Sequence, residues 1–183
     1  MFRLDGKKTY VIPFSQRHLN DERYYGWLTD YDVIKTINRP DYIIPVPFDD
    51  VKRYCEDLMN SKTDIFLALY DKDEESFIGT VKVGSINWFS GTADIGIMIG
   101  DKGRWGRGFA QDALNMVCTY LFDVLGMRKL TAGSMAVNKS MITVFQKLGF
   151  REEGVFRLQD RFEGGYCDHI YLGCFKTEFV RNK

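Results

Sequence analysis

Asp101-Lys102-Gly103-Arg104-Trp105-Gly106-Arg107-Gly108-Phe109-Ala110 is the stretch on which the fold turns. It follows a β-rich run, Ala93 to Ile99. It leads into a helical pattern in which Ala110, Ala113, Leu114, Val117, Cys118, Leu121 and Leu125 share one face before Gly126 supplies the stop. A glycine-rich turn between a strand and a helix points successive backbone N–H groups at open space, the arrangement that binds phosphate. Its glycines permit positive φ and close approach of a ligand, and Lys102, Arg104 and Arg107 add charge suited to a pyrophosphate or a nucleotide 3′-phosphate.

Two familiar phosphate loops do not fit this stretch. Gly103 and Gly108 have the separation of a P-loop, but Phe109 and Ala110 stand where Lys and Ser or Thr are needed. Gly106-x-Gly108-x-x-Gln111 lacks the third small residue of the dinucleotide fingerprint, and the following strand, Lys129 to Ala136, ends without an acidic residue. A NAD or FAD site is thereby disfavoured.

Upstream, Thr9 to Phe14 reads as a strand ended by Pro13, followed by a helix around Asn20 to Leu28. Pro40 to Pro47 reads as a loop. In Asp49 to Met59, Val51, Tyr54, Cys55 and Leu58 recur at helical spacing, with Asp49 or Asp50 as cap. Ile65 to Tyr70, Phe77 to Ile86 and Ala93 to Ile99 read as an antiparallel meander joined by the short turns Asp71 to Glu75 and Asn87 to Gly91. Downstream of the long helix come a strand (Lys129 to Ala136), a short helix (Lys139 to Leu148, stopped by Gly149) and two strands (Arg151 to Leu158, Tyr166 to Phe175). A meander followed by strand-and-helix units implies an α+β fold, with a mixed sheet carrying helices on its faces, and no domain boundary breaks residues 1–183.

The chain of 183 residues balances 25 Lys and Arg against 25 Asp and Glu, so no net field draws it to nucleic acid or to an anionic membrane. No stretch has the length and hydropathy of a membrane span, and the start lacks the apolar run of a signal peptide, so the expected location is cytoplasmic. Cys55, Cys118, Cys167 and Cys174 form no CxxC pair and read as buried thiols; with His18 and His169 as the only histidines, no metal site is expected.

The glycine-rich stretch resembles the pyrophosphate loop of the GNAT superfamily of acetyltransferases, Gln/Arg-x-x-Gly-x-Gly/Ala, in which Gly106-Arg107-Gly108 fills the last three positions. The first position falls on Gly103, so the usual side-chain contact is absent or is supplied by Arg104. Val137-Asn138-Lys139-Ser140 followed by Val144 to Phe150, ending in Leu-Gly-Phe, is similar to the superfamily's later motif. Trp105 to Ala110 and Glu163 to Asp168 resemble the branch that contains ribosomal-protein alanine, spermidine and amino-sugar N-acetyltransferases. The likeness is strong from about Ala93 to Phe175.

That resemblance implies about seven strands and four helices, with the sheet splayed between the fourth and fifth strands to admit the pantetheine of acetyl-CoA. The cofactor residues it implies are Ile97, Met98 and Ile99 on the fourth strand, Arg104, Trp105, Gly106, Arg107, Gly108, Phe109 and Ala110 in the loop, and Asn138, Ser140 and Phe145 beyond the fifth strand. A backbone N–H near Ile97 or Met98 polarises the acetyl carbonyl, and Gly96 marks a bulge that opens the groove. Asp94 either draws a proton from the substrate ammonium through water or faces solvent at a strand end. Asn138 serves pantetheine, caps a helix, or does both.

Phe145 stands where many relatives carry the acid Tyr, which leaves Ser140, Tyr166 or water to protonate the thiolate, unless it departs as the anion. The acceptor is expected at Tyr31 to Phe48 and around Asp160 to Tyr166, whose acidic and aromatic side chains suit a cationic amine. The implied activity is direct acetyl transfer to a primary amine of a small metabolite, an amino sugar or a protein N-terminus, and a homodimer is compatible with it. An acyl-CoA-binding sensing or scaffolding module without turnover is the alternative.

Overall fold

Alternation along Ile65–Asp71 gives the sheet its two faces, because Leu67 and Leu69 join one buried cluster while Phe66 and Ala68 join another. Each cluster is closed by helices. The computed structural model describes residues 2–37 and 46–181. Within them the order is β1 (Leu4–Asp5), β2 (Thr9–Pro13), α1 (Gln16–Leu19), α2 (Glu22–Thr29), α3 (Tyr31–Ile34), α4 (Phe48–Asn60), β3 (Ile65–Asp71), β4 (Ser76–Asn87) and β5 (Thr92–Ile99). Then follow α5 (Phe109–Asp123), β6 (Lys129–Met135), α6 (Lys139–Lys147), β7 (Arg151–Phe162) and β8 (Gly165–Phe175).

Helices α5 and α6 cover the face of Leu67 and Leu69, burying Leu114, Val117, Cys118, Leu121 and Phe145 against Val81, Ile95 and Leu130. Leu114 is completely inaccessible, so truncating it to Ala costs roughly 2–5 kcal/mol. The opposite face buries Leu19, Tyr24, Leu28, Val51, Cys55 and Leu58 against Phe14, Phe66 and Phe77, so α1, α2 and α4 lie there. Cys55, Cys118 and Cys174 are buried and Cys167 is half-buried, all as free thiols.

The sheet runs β1-β2-β3-β4-β5-β6-β8-β7, antiparallel throughout except between β5 and β6. That parallel pair is short: Thr92, Ala93 and Asp94 meet Lys129, Leu130 and Thr131, and pairing then ceases. On either side the ladders continue, β4–β5 to Gly79 opposite Ile99 and β6–β8 to Met135 opposite His169. The sheet therefore forks just past Asp94 and Thr131.

Eight strands and six helices among the described residues exceed the seven and four expected. The additions are β1, whose Leu4 and Asp5 pair with Val11 and Tyr10, and the single-turn helices α1 and α3, too short for hydrophobic periodicity to register. The helix expected around Asn20 to Leu28 is α2, which Asp21 opens by accepting the Arg23 amide; Ser15 opens the extra turn α1 before it. The bulge expected at Gly96 is absent on the β4 side, where the register passes evenly through it; the irregularity falls between Gly84 and Asn87, where Ser85 has positive φ. The last hairpin is longer than expected because Glu163 and Gly164, both at positive φ, make a tight turn. Of the expected loop Pro40 to Pro47, residues 40–45 lie outside the described residues.

Candidate active site

Past the fork, the edge of β5 from Ile95 to Ile99 that faces β6 has no strand partner among the described residues. Backbone groups on such an edge can receive an extended ligand as an added strand. Gly96, Ile97 and Met98 on one side and Gly133 and Ser134 on the other line a cavity of ≈ 310 Å³, with Asn138, Met141 and Phe145 at its α6 end. A Cβ placed on Gly96 would meet nothing within 4 Å, so the strand contributes bare backbone to the groove.

The chain leaves β5 into the glycine-rich turn. Asp101 Oδ1 accepts the Gly103 amide (2.9 Å), and the Trp105 indole donates to the Ile99 carbonyl (2.9 Å), which fixes the loop to the end of β5. Gly106 and Gly108 have φ of 69° and 84°, and Gly108 caps α5 without any side-chain bond to the helix amides. The first-turn amides of α5, buried Phe109 and half-buried Ala110 included, are thus left for a ligand, with the positive end of the helix behind them. A Cβ on Gly106 would meet nothing within 4 Å, and one on Gly108 only the Lys8 ammonium at 3.6 Å. An open cradle of amides with a cation at its rim fits a pyrophosphate.

The basic residues of the loop divide. Lys102 is paired with Asp30 (2.6 Å) and Asp32 (3.7 Å). Arg104 is nearly buried among Asp71 (3.1 Å), Asp101 (3.5 Å) and Glu74, so it braces the loop against the β3–β4 turn. Arg107 donates to the Gly103 carbonyl (3.2 Å), and Lys8 donates to the Arg107 carbonyl (2.8 Å). Lys8 escaped the sequence reading because it lies far upstream. It is delivered by Asp112 in the first turn of α5, whose carboxylate accepts the amides of Lys7 (3.0 Å), Lys8 and Thr9 (both 2.9 Å) and the Thr9 hydroxyl (2.7 Å).

At the later motif, Asn138 Oδ1 accepts the Met141 amide (3.2 Å) and the Ser140 hydroxyl (3.0 Å), and its Nδ2 donates to Thr36 (3.1 Å). Asn138 therefore caps α6 and also lines the cavity. Phe145 is buried, packs edge-on to Phe150 (5.0 Å) and closes the groove. Ser140 is exposed beside Asn138. Tyr166 stands on the exposed tip of the β7–β8 hairpin, outside the cavity lining. Tyr31 donates to Glu163 (3.5 Å), so the two segments expected to hold the acceptor do meet.

Asp94 sits at the fork, where the Thr131 hydroxyl donates to its Oδ2 (3.0 Å). Crowding by protein pushes its carboxyl above the usual range, although water still reaches it; Thr131, Lys82 and His169 pull in the opposite direction. Lys82 projects from β4, donates to the Tyr54 hydroxyl (3.4 Å) and lies 3.8 Å from Asp64. It is the one charged side chain among the described residues that line the cavity. Neither Lys82 nor His169 carries a local sequence signal for this site; each reaches it through strand register.

A sheet forked beside a glycine-rich amide cradle is the arrangement that the resemblance to the acetyltransferases implies. The chain belongs to the GNAT acetyltransferases: the family described as "Acetyltransferase (GNAT) domain" matches residues 11–151. It is 27% identical over 146 residues to an uncharacterized N-acetyltransferase, p20, of Bacillus licheniformis, covering 76% of this chain and 81% of that one. It is also 27% identical over 107 residues to the spermidine N(1)-acetyltransferase of Vibrio cholerae, covering 58% of this chain and 61% of that one. Among solved structures, the spermidine N-acetyltransferase of Vibrio cholerae in complex with CoA and spermine superposes with a TM-score of 0.83 at 18% identity, covering 93% and 97% of the two chains. Mycobacterium smegmatis RimJ in complex with CoA-disulfide gives 0.82 at 17% identity, covering 97% and 88%.

Proposed function

We propose that this enzyme transfers the acetyl group of acetyl-CoA to a primary amine by direct attack in a ternary complex, and that its preferred amine carries an anionic group nearby. The observation behind the first part is the continuity of the open amide cradle at Gly106 to Ala110 with the unpaired edge of β5. When bound, acetyl-CoA supplies an activated acetyl thioester. The first-turn amides of α5, with Lys8 and Arg107, hold its phosphates; the edge of β5 at Ile97 to Ile99 aligns its pantetheine; Asn138 and Ser140 flank the arm, and Phe145 excludes water beneath it. Trp105 holds the loop in place. A β5 amide near Ile97 or Met98 stabilises charge developing on the carbonyl oxygen.

Asp94 attracts the acceptor's ammonium and draws on its proton through water. Lys82 supports the finer reading of the acceptor. A polyamine would bring additional cations beside this ammonium, whereas a carboxylate or phosphate attached to the amine would gain a partner.

A free-thiol assay with acetyl-CoA against amino acids, peptides, nucleotide-linked amino sugars and polyamines tests both parts. The expected result is thiol release that depends on the amine and is fastest with anion-bearing acceptors. Ligand binding without thiol release from any amine would instead identify a binding module, a reading favoured only by the absence of a tyrosine at Phe145. Spermidine as the best acceptor would overturn the Lys82 argument.

A further inference from the structure

The outer part of the sheet contains a second polar device, apart from Asp94 and Lys82. Asp160 on β7 is almost wholly buried, and its Oδ2 lies 2.6 Å from Nδ1 of His169 on β8. It is turned inward by an irregularity between Phe156 and Asp160, where Leu158 adopts a φ of 52° and its amide is caught by the Asp168 carboxylate (2.8 Å). The other oxygen, Oδ1, is buried without a hydrogen-bond partner among the described residues. A buried carboxylate with so few donors is costly, and its single strong contact is with the imidazole.

That contact fixes the imidazole's tautomer. A carboxylate accepts, so Nδ1 carries the proton and Nε2 offers a lone pair. Nε2 makes no hydrogen bond among the described residues. It lies over β6 at Gly133, a groove-lining position where an added Cβ would come within 2.5 Å of it. Gly133 thus leaves the space that the ring occupies.

Thr131 and Gly133 are two apart on β6 and face the same way, about 7 Å from each other. Thr131 holds Asp94, so His169 and Asp94 share one face of the fork, close enough for their charges to interact. The titratable and charged groups facing the imidazole are Asp160 from β7, Tyr171 from β8 (ring centroids 4.8 Å apart) and Asp94 from β5, with Lys82 of β4 beyond.

Resting on the acetyltransferase reading above, we infer that His169 is the terminal acceptor of the proton lost by the acceptor ammonium, and that Asp160 is its positioning residue. One N–H bond of the ammonium breaks and one forms at Nε2, through water held at Asp94; Nδ1–H stays on Asp160, and the imidazolium later returns its proton to solvent. The freed amine lone pair forms the new C–N bond as the C–S bond breaks, and the amine's second proton leaves with the thiolate. A histidine suits this role better than a carboxylate because its basicity lies closer to that of an amine, and positioned bases of this kind contribute roughly 10²–10⁴-fold.

The test uses the full chain and the best amine found above, with CoA affinity measured alongside. His169→Gln should lower kcat by about a hundredfold or more. It should also remove the acidic limb of the kcat/KM profile while CoA binds as tightly as to the wild type. Gly133→Ala, which keeps both partners but displaces the ring, should weaken the same limb, and imidazole should restore turnover to His169→Ala. Independently of activity, nitrogen NMR of the wild type should show neutral His169 as the Nδ1–H tautomer, converted to a mixture in Asp160→Asn. An Nε2–H tautomer in the wild type, or an unchanged pH profile in His169→Gln, would overturn the assignment. Failure of the wild type to bind CoA or release thiol would instead overturn the acetyltransferase reading.

Discussion

Gly106 and Gly126 provide a matched pair for isolating what the cradle does. Both have positive φ, 69° and 71°, and a Cβ on either meets nothing within 4 Å. Alanine at either position suffers the same backbone penalty, roughly 1–2 kcal/mol for an L-residue held in the left-handed region. In a chain of 183 residues, each kcal/mol lowers the melting temperature by about 2–4 °C, so both variants should melt about 2–8 °C below the wild type. Only Gly106 lies in the cradle, where its Cβ would stand in open space. Displacing one amide–phosphate bond, worth about 1.5–3 kcal/mol for a charged acceptor, raises the Kd for CoA at least about tenfold. Calorimetric titration of CoA should therefore separate Gly106→Ala from Gly126→Ala while thermal melting does not. Equal CoA affinity in the two variants would refute the cradle as the phosphate site.

Three further outcomes follow from individual side chains. Asp94→Asn should keep or raise the melting temperature at pH 7: a carboxyl whose folded pKa is raised costs stability as pH climbs from its unfolded value through the raised one, and the amide removes that cost. The same variant should lower kcat/KM for the amine and change its pH dependence, and an unchanged profile would exclude Asp94 from proton transfer. Lys82→Glu should shift preference from anion-bearing amines toward polyamines at least tenfold in relative kcat/KM, read in the same thiol assay. His18 is a core histidine: its ring takes the Ser15 amide (2.9 Å) and meets the Tyr70 hydroxyl (3.0 Å), and burial, followed by Arg17, lowers its pKa to about 4. The unfolded chain therefore binds the extra proton first, and stability falls as pH drops from about 6.5 to about 4, by up to about 3 kcal/mol. Urea titrations from pH 7 to pH 4 should show that loss flattened in His18→Gln.

What was legible in the sequence was local. Glycine spacing between an alternating strand and an amphipathic helix located the cradle, and Asn138 with Leu148-Gly149-Phe150 located the second wall of the groove, because turns and caps are decided within a few residues. The strands of the meander were legible for the same reason. The ion pairs of Arg104 were not legible, because its partners Asp71 and Glu74 come from another turn of the sheet. Lys8 reaches the cradle only through Asp112, far along the chain. His169 gained its setting from the register of β6 with β8 and from an irregular β7 that turns Asp160 inward, and no spacing in the sequence encodes that pairing. The short elements β1, α1 and α3 were missed because one helical turn or two strand residues carry no period.

The most direct test of the central claim is calorimetric titration of acetyl-CoA into the wild type and into Gly108→Glu, with circular dichroism confirming that the variant is folded. The account predicts saturable binding by the wild type and none by the variant, whose carboxylate would fill and repel the phosphate site between Gly106 and Phe109. No binding by the wild type, or equal binding by both, would contradict it.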